Sequence, residues 1–288
     1  MLSRLGLWRD SPRLDLRNDL PQLDHPISQL CTQAQVESPL FQYWGSRMRQ
    51  EIRKHRKLWE FVYILQVLST RQMLQPGRRG LGFGVGTEPL PALMASHGVA
   101  VHATDLELEQ ARLKGWVDTN QHVATLEMLN QLQICDQESF RRLVSFEPID
   151  MNAIPERLKG FDFTWSSCAL EHLGSIEQGF RFIEASLDAL KPGGVAVHTT
   201  EYNCSSNRKT LSEGDTVIYR RRDIVGFLER ITRKGYLTAL TLAVAGDPLD
   251  KHVDVPPYSA DNHLRLQLDR YVATSIGIVI QKPMEARG

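Results

Sequence analysis

Short apolar runs and helical periodicities alternate along most of this chain. The runs at 81–85, 100–104, 143–149, 161–166 and 195–200 have the length and β-branched content of buried strands. Between them, 89–96, 107–117 and 176–190 carry apolar residues at helical spacing. Strands separated by helices predict a parallel, doubly wound sheet. After Asn203 the pattern changes: 221–235 is a helix stopped by Gly235, and 236–244 and 271–281 are strands with a Pro-rich loop between them. Without a crossover helix, these last two strands should form an antiparallel hairpin closing one edge. The fold class is therefore α/β: a doubly wound, mostly parallel seven-stranded sheet with an antiparallel last strand, plus an N-terminal helical extension.

The first 37 residues are polar and interrupted by Pro12, Pro21 and Pro26, which suits an irregular arm or short helices over a core. From Ser38-Pro39 onward, Met48, Ile52, Leu58, Phe61, Leu65 and Leu68 recur at helical intervals, an amphipathic pattern that can break in two. Arg47, Arg49, Arg53, Lys54, Arg56 and Lys57 fall on its wet face; the simplest reading is a solvated stripe, the other an anion or substrate contact. The chain divides into an arm and helical cap (1–74) and a sheet domain (75–288), with no internal repeat.

Composition removes several classes of function. The 288 residues hold 34 Lys and Arg against 34 Asp and Glu, so no net field draws the chain to nucleic acid or to an anionic membrane. No apolar run reaches the roughly 20 residues of a membrane span, and the start MLSRLGLWRD lacks a signal peptide's apolar core, which predicts a cytoplasmic protein. Cys31, Cys135, Cys168 and Cys204 are too sparse for a disulfide framework and form no CxxC pair. They read as reduced, unligated thiols. A small-molecule partner is expected, and a homodimer is an assembly open to the chain.

Residues 80–89 read GLGFGVGTEP, glycine at every second position followed by an acid. A strand running into glycines and then a helix N-terminus lets a ligand lie against bare backbone amides. The dinucleotide pattern GxGxxG fails here, since its third glycine would be Val85 or Thr87, and no GK[ST] follows for a phosphate loop. Thr87 is a candidate N-cap for the following helix, with Pro89 near its first turn and Gly98 as its stop. The next strand ends VHATDLE, placing Asp105 nineteen residues after Gly86, the position from which a carboxylate accepts ribose hydroxyls. Asp105 alone would be read as a helix N-cap; after this loop the ribose reading takes precedence.

Together these residues resemble the class I S-adenosylmethionine-dependent methyltransferases. GLGFGVG resembles the family's first motif, ATDLE its second-strand acid, FDFTWSSCALEHL its fourth-strand motif, LKPGG the turn before its fifth strand, and YVATSIGIVIQKP its closing antiparallel strand. The motifs cover about 75–205. The resemblance implies S-adenosyl-L-methionine as cofactor, held by Gly82, Phe83, Gly84, Gly86, Glu88, Asp105, Leu106, Asp150, Met151 and Ser167. Asp150 would meet the adenine amino group and Met151 cover the ring; a turn cap and a core residue are the plain alternatives. Many members carry an acid where this chain has Gly80, so Glu88 is the candidate replacement for holding the methionine amino group, or else simply an acid favouring a helix start.

Methyl transfer from a sulfonium needs alignment, water exclusion and a base for the acceptor, and no covalent nucleophile. The acceptor should sit over the carboxyl ends of the fourth and fifth strands, at SSCALEH and HTTEYN. His198 and Glu201 are the catalytic candidates, His198 as base, although three residues apart in a strand they face opposite ways unless the chain bends; a satisfied core histidine is the alternative. Glu171-His172 reads as a structural helix start. The resemblance implies that the loop 245–270 lids the acceptor pocket; its Asp247, Asp250, His252, Asp254 and His263 could join His198 or Glu201 around Mg²⁺ or Mn²⁺, but they match no metal motif, and no metal is expected. Trp44, Trp59, Tyr202 and Tyr258 are wall or core aromatics. Oxygen is preferred over nitrogen as acceptor atom because SSCA replaces an NPPY-like tetrapeptide. Aminopropyl transfer and a non-catalytic binding protein on the same fold are the competing functions.

Overall fold

A computed structural model describes residues 13–113, 115, 122–123, 125–259 and 262–284. The end of the helix expected at 107–117 and the first twelve residues lie outside that set. In chain order the elements are β1 (Asp15–Arg17), β2 (Ser28–Leu30), α1 (Gln33–Val36), α2 (Pro39–Arg47), α3 (Arg56–Thr70), β3 (Arg79–Phe83), α4 (Leu90–Ser96), β4 (Ala100–Asp105), α5 (Leu108–Leu113), α6 (Gln137–Leu143), β5 (Val144–Pro148), β6 (Phe161–Ser167), β7 (Gly174–Ser175), α7 (Ile176–Asp188), β8 (Leu190–Asn203), β9 (Glu213–Gly214), α8 (Arg221–Arg233), β10 (Ala239–Thr241), α9 (Pro248–Lys251), β11 (Val253–Asp254), β12 (Arg265–Leu268) and β13 (Tyr271–Gln281).

Parallel pairing runs β5-β4-β3-β6-β8, a Rossmann-like order with its switch point between β3 and β6, and antiparallel β13 follows, paired with β8 from Val195↔Gln281 to Asn203↔Ala273. The edge differs from the expected hairpin. β2 is inserted between β13 and β10, and β1 lies beyond β10, so the last two core strands touch only through the Leu237↔Gln281 bridge. The N-terminal arm is thus partly woven into the sheet. Polar Ser28 and Gln29 tolerate this because their side chains are satisfied in place: Ser28 Oγ accepts from Val279 N at 3.0 Å and Gln29 Nε2 donates to Gln35 Oε1 at 2.7 Å. Counting β11 and β12, the sheet has eleven strands among the described residues.

The period-2 alternation of β8 sorts its side chains between two layers. Val195 and Val197 join α2, α3 and α4 on one face, while Ala196 joins α7 and α8 on the other. The amphipathic stretch does break in two: Ser38 Oγ caps α2 by accepting from Phe41 N, Arg49 takes a left-handed φ of 53°, and His55 Nδ1 caps α3 by accepting from Lys57 N. Its basic run does not stay on one wet face. Arg47, Arg49 and Arg53 are exposed, but Arg56 is 5% exposed and turned inward. Thr87 is not the cap of α4; Pro89 occupies that position, leaving Thr87 in the loop, whereas Gly98, at φ 79°, does stop the helix. No described helix is long and apolar enough to cross a membrane.

The alternating glycines divide into two pairs. Gly80 and Gly82 lie directly opposite Phe163 and Trp165, and a Cβ on either would come within 2.3 Å of the facing ring. They are flat ground for two aromatics. Gly82→Ala should therefore destabilise the fold by about 1–3 kcal/mol through overpacking, read as a lowered midpoint in denaturant unfolding at unchanged slope.

Candidate functional site

Past Phe83 the chain leaves the sheet and the second pair of glycines takes over. Gly84 and Gly86 sit at φ 57° and 48°, and a Cβ on Gly84 would press on Ala169 Cβ at 2.9 Å and Met151 Sδ at 3.1 Å. These two positions need glycine for backbone conformation and close approach. They open into a cavity of about 550 Å³ lying over the carboxyl ends of β3, β4, β6 and β8, where open α/β sheets take ligands.

Of the residues the sequence points to, Gly84, Gly86, Glu88, Asp105, Leu106, Asp150, Met151, Ser167 and Glu201 line this cavity. Gly82 and Phe83 do not: the Gly82 carbonyl accepts from Thr104 Oγ1 at 2.7 Å, and the Phe83 ring packs edge-on to Phe182 on the far face. Asp105 is 8% exposed and accepts from the backbone N–H groups of Gly86 (3.1 Å), Leu106 (2.7 Å) and Val123 (3.3 Å). A carboxylate offers about four acceptor sites, so one remains, on Oδ1. Burial raises its pKa, and the three amides pull the other way. Asp150 takes part in a turn, accepting from Asn152 N at 2.8 Å, and also borders the cavity, so cap and lining coincide.

Glu88 is 7% exposed, and its Oε1 accepts from Trp165 Nε1 at 2.6 Å. Gly82 makes this bond possible by letting the indole lie flat. Burial pushes the Glu88 carboxyl well above its ordinary range, more than the indole bond offsets, with Asp105 adding to the rise. Beside the glycine loop Glu88 is thus pushed toward its protonated form.

With this geometry in view, the chain was compared with known proteins. No family model and no curated protein matches it. Among solved structures it is similar to the [4+2]-cyclase SpnF, at 13% identity over 77% of this chain and 81% of that one with a TM-score of 0.48. It is similar to the magnesium protoporphyrin IX methyltransferase ChlM of Synechocystis PCC 6803 with bound S-adenosylhomocysteine, at 11% identity over 85% and 95% of the chains with a TM-score of 0.46. A third is the glycopeptide N-methyltransferase MtfA, at 11% identity, 76% and 94% coverage and a TM-score of 0.45.

At the other end of the cavity, α3 meets the ends of β6, β8 and β13 through buried charges. Glu60, fully buried, accepts from Thr199 Oγ1 (2.6 Å), Ser275 Oγ (2.5 Å), Cys168 Sγ (3.0 Å) and Ser167 Oγ (3.4 Å). Arg56 Nη1 donates to Glu201 Oε1 at 2.6 Å and lies 3.8 Å from Glu60. Lys57 Nζ contacts Cys168 Sγ and stands 3.5 Å from Glu201 and 3.7 Å from Glu60. Burial works against the Glu201 charge, but Arg56 and Lys57 outweigh it and hold that carboxyl below its usual range. Burial, then Glu171 and Glu60, push the Cys168 thiol well up. Cys168, Glu171 and Glu201 bring ligand-type atoms within 4.8 Å of one another, yet two cations of the chain already stand among them and the thiol keeps its proton.

His198 is not part of this site. The alternation that turns Thr199 and Glu201 toward α3 turns His198 toward α7, where it is fully buried, hydrogen-bonded to Ser166 Oγ (2.8 Å) and Ser186 Oγ (3.1 Å) and edge-on to Phe182. Burial lowers its pKa to about 3, so it is a neutral core histidine and not a base. Among the described residues of 245–270, Asp247, Asp250, His252, Asp254 and His263 do not line the cavity: Asp250 Oδ1 accepts from Gln33 N, Asp254 lies 3.1 Å from His263, and Leu268 is the described residue of that stretch that lines it. Trp44 and Trp59 are core, and Phe61 is the aromatic that faces the cavity. Sequence reasoning missed Glu60, gave Arg56 and Lys57 a substrate contact only as the second reading of the basic run, and placed Cys168 and His172 in the acceptor-side segment SSCALEH without a role for either. The available signal was the basic run meeting Glu60 four residues after Arg56, a helical ion-pair spacing.

Glu88→Gln supplies a test of the electrostatics. The wild-type carboxyl binds its proton more tightly folded than unfolded, so wild-type stability falls as pH rises above about 4.5, the ordinary value, toward the raised folded value. The Gln variant lacks that loss. Its thermal midpoint relative to wild type should be level below pH 4.5 and climb steadily above it; a constant difference across pH 4–8 would mean that Glu88 is ionised in the free protein.

Proposed function

We propose that this protein is an S-adenosylmethionine-dependent methyltransferase acting on a small polar acceptor, with oxygen as the favoured acceptor atom. The observation that supports it best is one continuous cavity. A glycine loop, a second-strand carboxylate with one free acceptor site, and the Asp150–Met151 corner stand at one end, and a charged acceptor side stands at the other. The residues suit the cofactor: Gly84 leaves the space a Cβ would fill, Asp105 Oδ1 can take one ribose hydroxyl, Met151 can cover the adenine, and neutral Glu88 can give up its proton to face a ligand ammonium. S-Adenosylmethionine would supply a methyl group already activated for displacement.

The chain's own part is then positioning and proton management. Arg56 and Lys57 keep Glu201 ionised, which suits it to orient a hydrogen-bond donor on the acceptor more than to remove a proton from an alcohol. A cavity of this volume holds the cofactor with room left for only a small acceptor. Residues 1–74 and the stretch 245–270 border the acceptor side through Arg56, Lys57, Phe61 and Leu268, consistent with a cap and lid over a sheet domain.

Calorimetric titration with S-adenosylhomocysteine tests this reading. Intact protein should bind it, and Asp105→Asn should weaken binding about 10- to 100-fold, the worth of one hydrogen bond to a charged group. No heat of binding to intact protein removes the cofactor assignment, and equal affinity in the variant removes the role of Asp105.

A further inference from the structure

The carboxylate at the tip of β4 is nearly full. Asp105 Oδ2 accepts from Gly86 N at 3.1 Å and from Val123 N at 3.3 Å, and Oδ1 accepts from Leu106 N at 2.7 Å. With about four acceptor sites on a carboxylate, the one left on Oδ1 serves one hydroxyl and not two. A ribose carries two neighbouring hydroxyls. The second must find its partner on another group of the cavity wall or give up a hydrogen bond that it makes in water.

The chain brings an imidazole to that place. His122 lines the cavity, is 7% exposed, and directly precedes the Val123 amide that bonds Asp105. Its Nε2 lies 2.7 Å from the Leu106 carbonyl. A carbonyl only accepts, so Nε2 carries the hydrogen, and in the neutral ring the lone pair is at Nδ1. Nδ1 makes no hydrogen bond among the described residues, and it is not one of the buried polar atoms closed off without a partner. Two bonds therefore join 122–123 to 105–106, and together they fix the tautomer and hold the ring beside the carboxylate. Burial raises the Asp105 pKa, and the ring joins the amides in opposing that rise, which places it within reach of the carboxylate's charge.

The other carboxylates at this end of the cavity are placed differently. Asp150, on an exposed turn, approaches Asp105 through the backbone, where Ile149 N donates to the Asp105 carbonyl at 2.7 Å, and its own Oδ1 accepts from Asn152 N. Glu88 Oε1 accepts from the Trp165 indole, and its carboxyl is the one matched to a ligand ammonium. The side chain of Asp105 is met by 122–123.

We propose that His122 is the second ribose contact of this cavity: Asp105 Oδ1 takes one hydroxyl of the cofactor's ribose, and His122 Nδ1 accepts from the other. This rests on the methyltransferase reading, because the ribose is that of S-adenosylmethionine. The two bonds are unequal, since the one to a carboxylate is charge-assisted and the one to an imidazole is not. Each hydroxyl then has its own partner. Removing either from the ligand leaves a different acceptor of the cavity wall unpaired.

Calorimetry with S-adenosylhomocysteine and with its 2′-deoxy and 3′-deoxy forms tests the division. His122→Gln keeps a donor for the Leu106 carbonyl and removes the acceptor at Nδ1; His122→Phe removes both nitrogens and repeats the measurement. Either variant should weaken S-adenosylhomocysteine about 3- to 10-fold, the worth of one neutral hydrogen bond, and leave unchanged the affinity of the one deoxy form that lacks the hydroxyl His122 holds. Asp105→Asn should show the same insensitivity toward the other deoxy form. Because each comparison sets two ligands against one variant, a general loosening of the fold cancels. Both hydroxyls coupled to Asp105, or one coupled to Asp150→Asn or Glu88→Gln in place of His122, overturns the proposal. In proton–nitrogen spectra of nitrogen-15-histidine-labelled protein, the His122 signal, identified by its loss in the variants, should have the Nε2–H form, and the Nδ1–H form overturns the proposal as well. No binding of S-adenosylhomocysteine to intact protein sinks the cofactor reading itself, whereas binding without coupling at His122 sinks this inference alone.

Discussion

Glu60 is a carboxylate with no solvent exposure in the middle of a helix that packs on a sheet. Left alone, such a group would cost several kcal/mol, so its surroundings must answer it. They do so from three strands at once, with Thr199 on β8, Ser275 on β13 and Ser167 and Cys168 at the end of β6, while Arg56 stands beside it one turn earlier on α3. The result fixes the register of α3 against the carboxyl ends of the sheet. Because Arg56 also bonds Glu201, and Lys57 follows it along the helix, the solution to Glu60's burial is also what puts charge at the mouth of the cavity. Through Arg56, Lys57 and Phe61, α3 therefore forms one wall of the cavity.

A second constraint works on the other side of the cavity through volume instead of charge. Phe163 and Trp165 lie on bare glycines across the β3–β6 pair, and the indole reaches Glu88 from there. A side chain at Gly80 has no place under the Phe163 ring, which is the physical reason this strand carries no acid at that point. The acid that meets the indole, Glu88, lies beyond the glycines, on the far side of the turn. Bare glycines in β3 thus go together with the aromatic residues in β6 and an acid before α4.

The parallel core was legible because its signals are local. Apolar runs of strand length, glycine stops and the nineteen-residue step from Gly86 to Asp105 all lie within one strand-turn-helix unit and its successor. The edge was not, because β2 enters between β13 and β10 from more than 200 residues away, and only two or three residues pair there. In the site, backbone-linked positions such as Gly84, Asp105 and Met151 were readable, while Arg56 and Lys57 were placed on the solvent face because helical periodicity cannot show what packs above a helix. His198 was misjudged for a related reason: strand alternation already turned it away from Glu201, and only an assumed bend kept the two together.

Two of the glutamates that line the cavity sit in opposite environments. Glu88 is buried against an indole and an acid, which pushes its carboxyl toward the neutral form; Glu201 is buried against Arg56 and Lys57, which push its carboxyl toward the charged form. Environments that push like groups apart assign them different work. A neutral acid can change state when a cationic ligand arrives, so Glu88 suits the end of the cavity where charge comes and goes with the ligand. An acid already matched to two cations holds its charge, so Glu201 suits an orienting role that must not alter during a reaction.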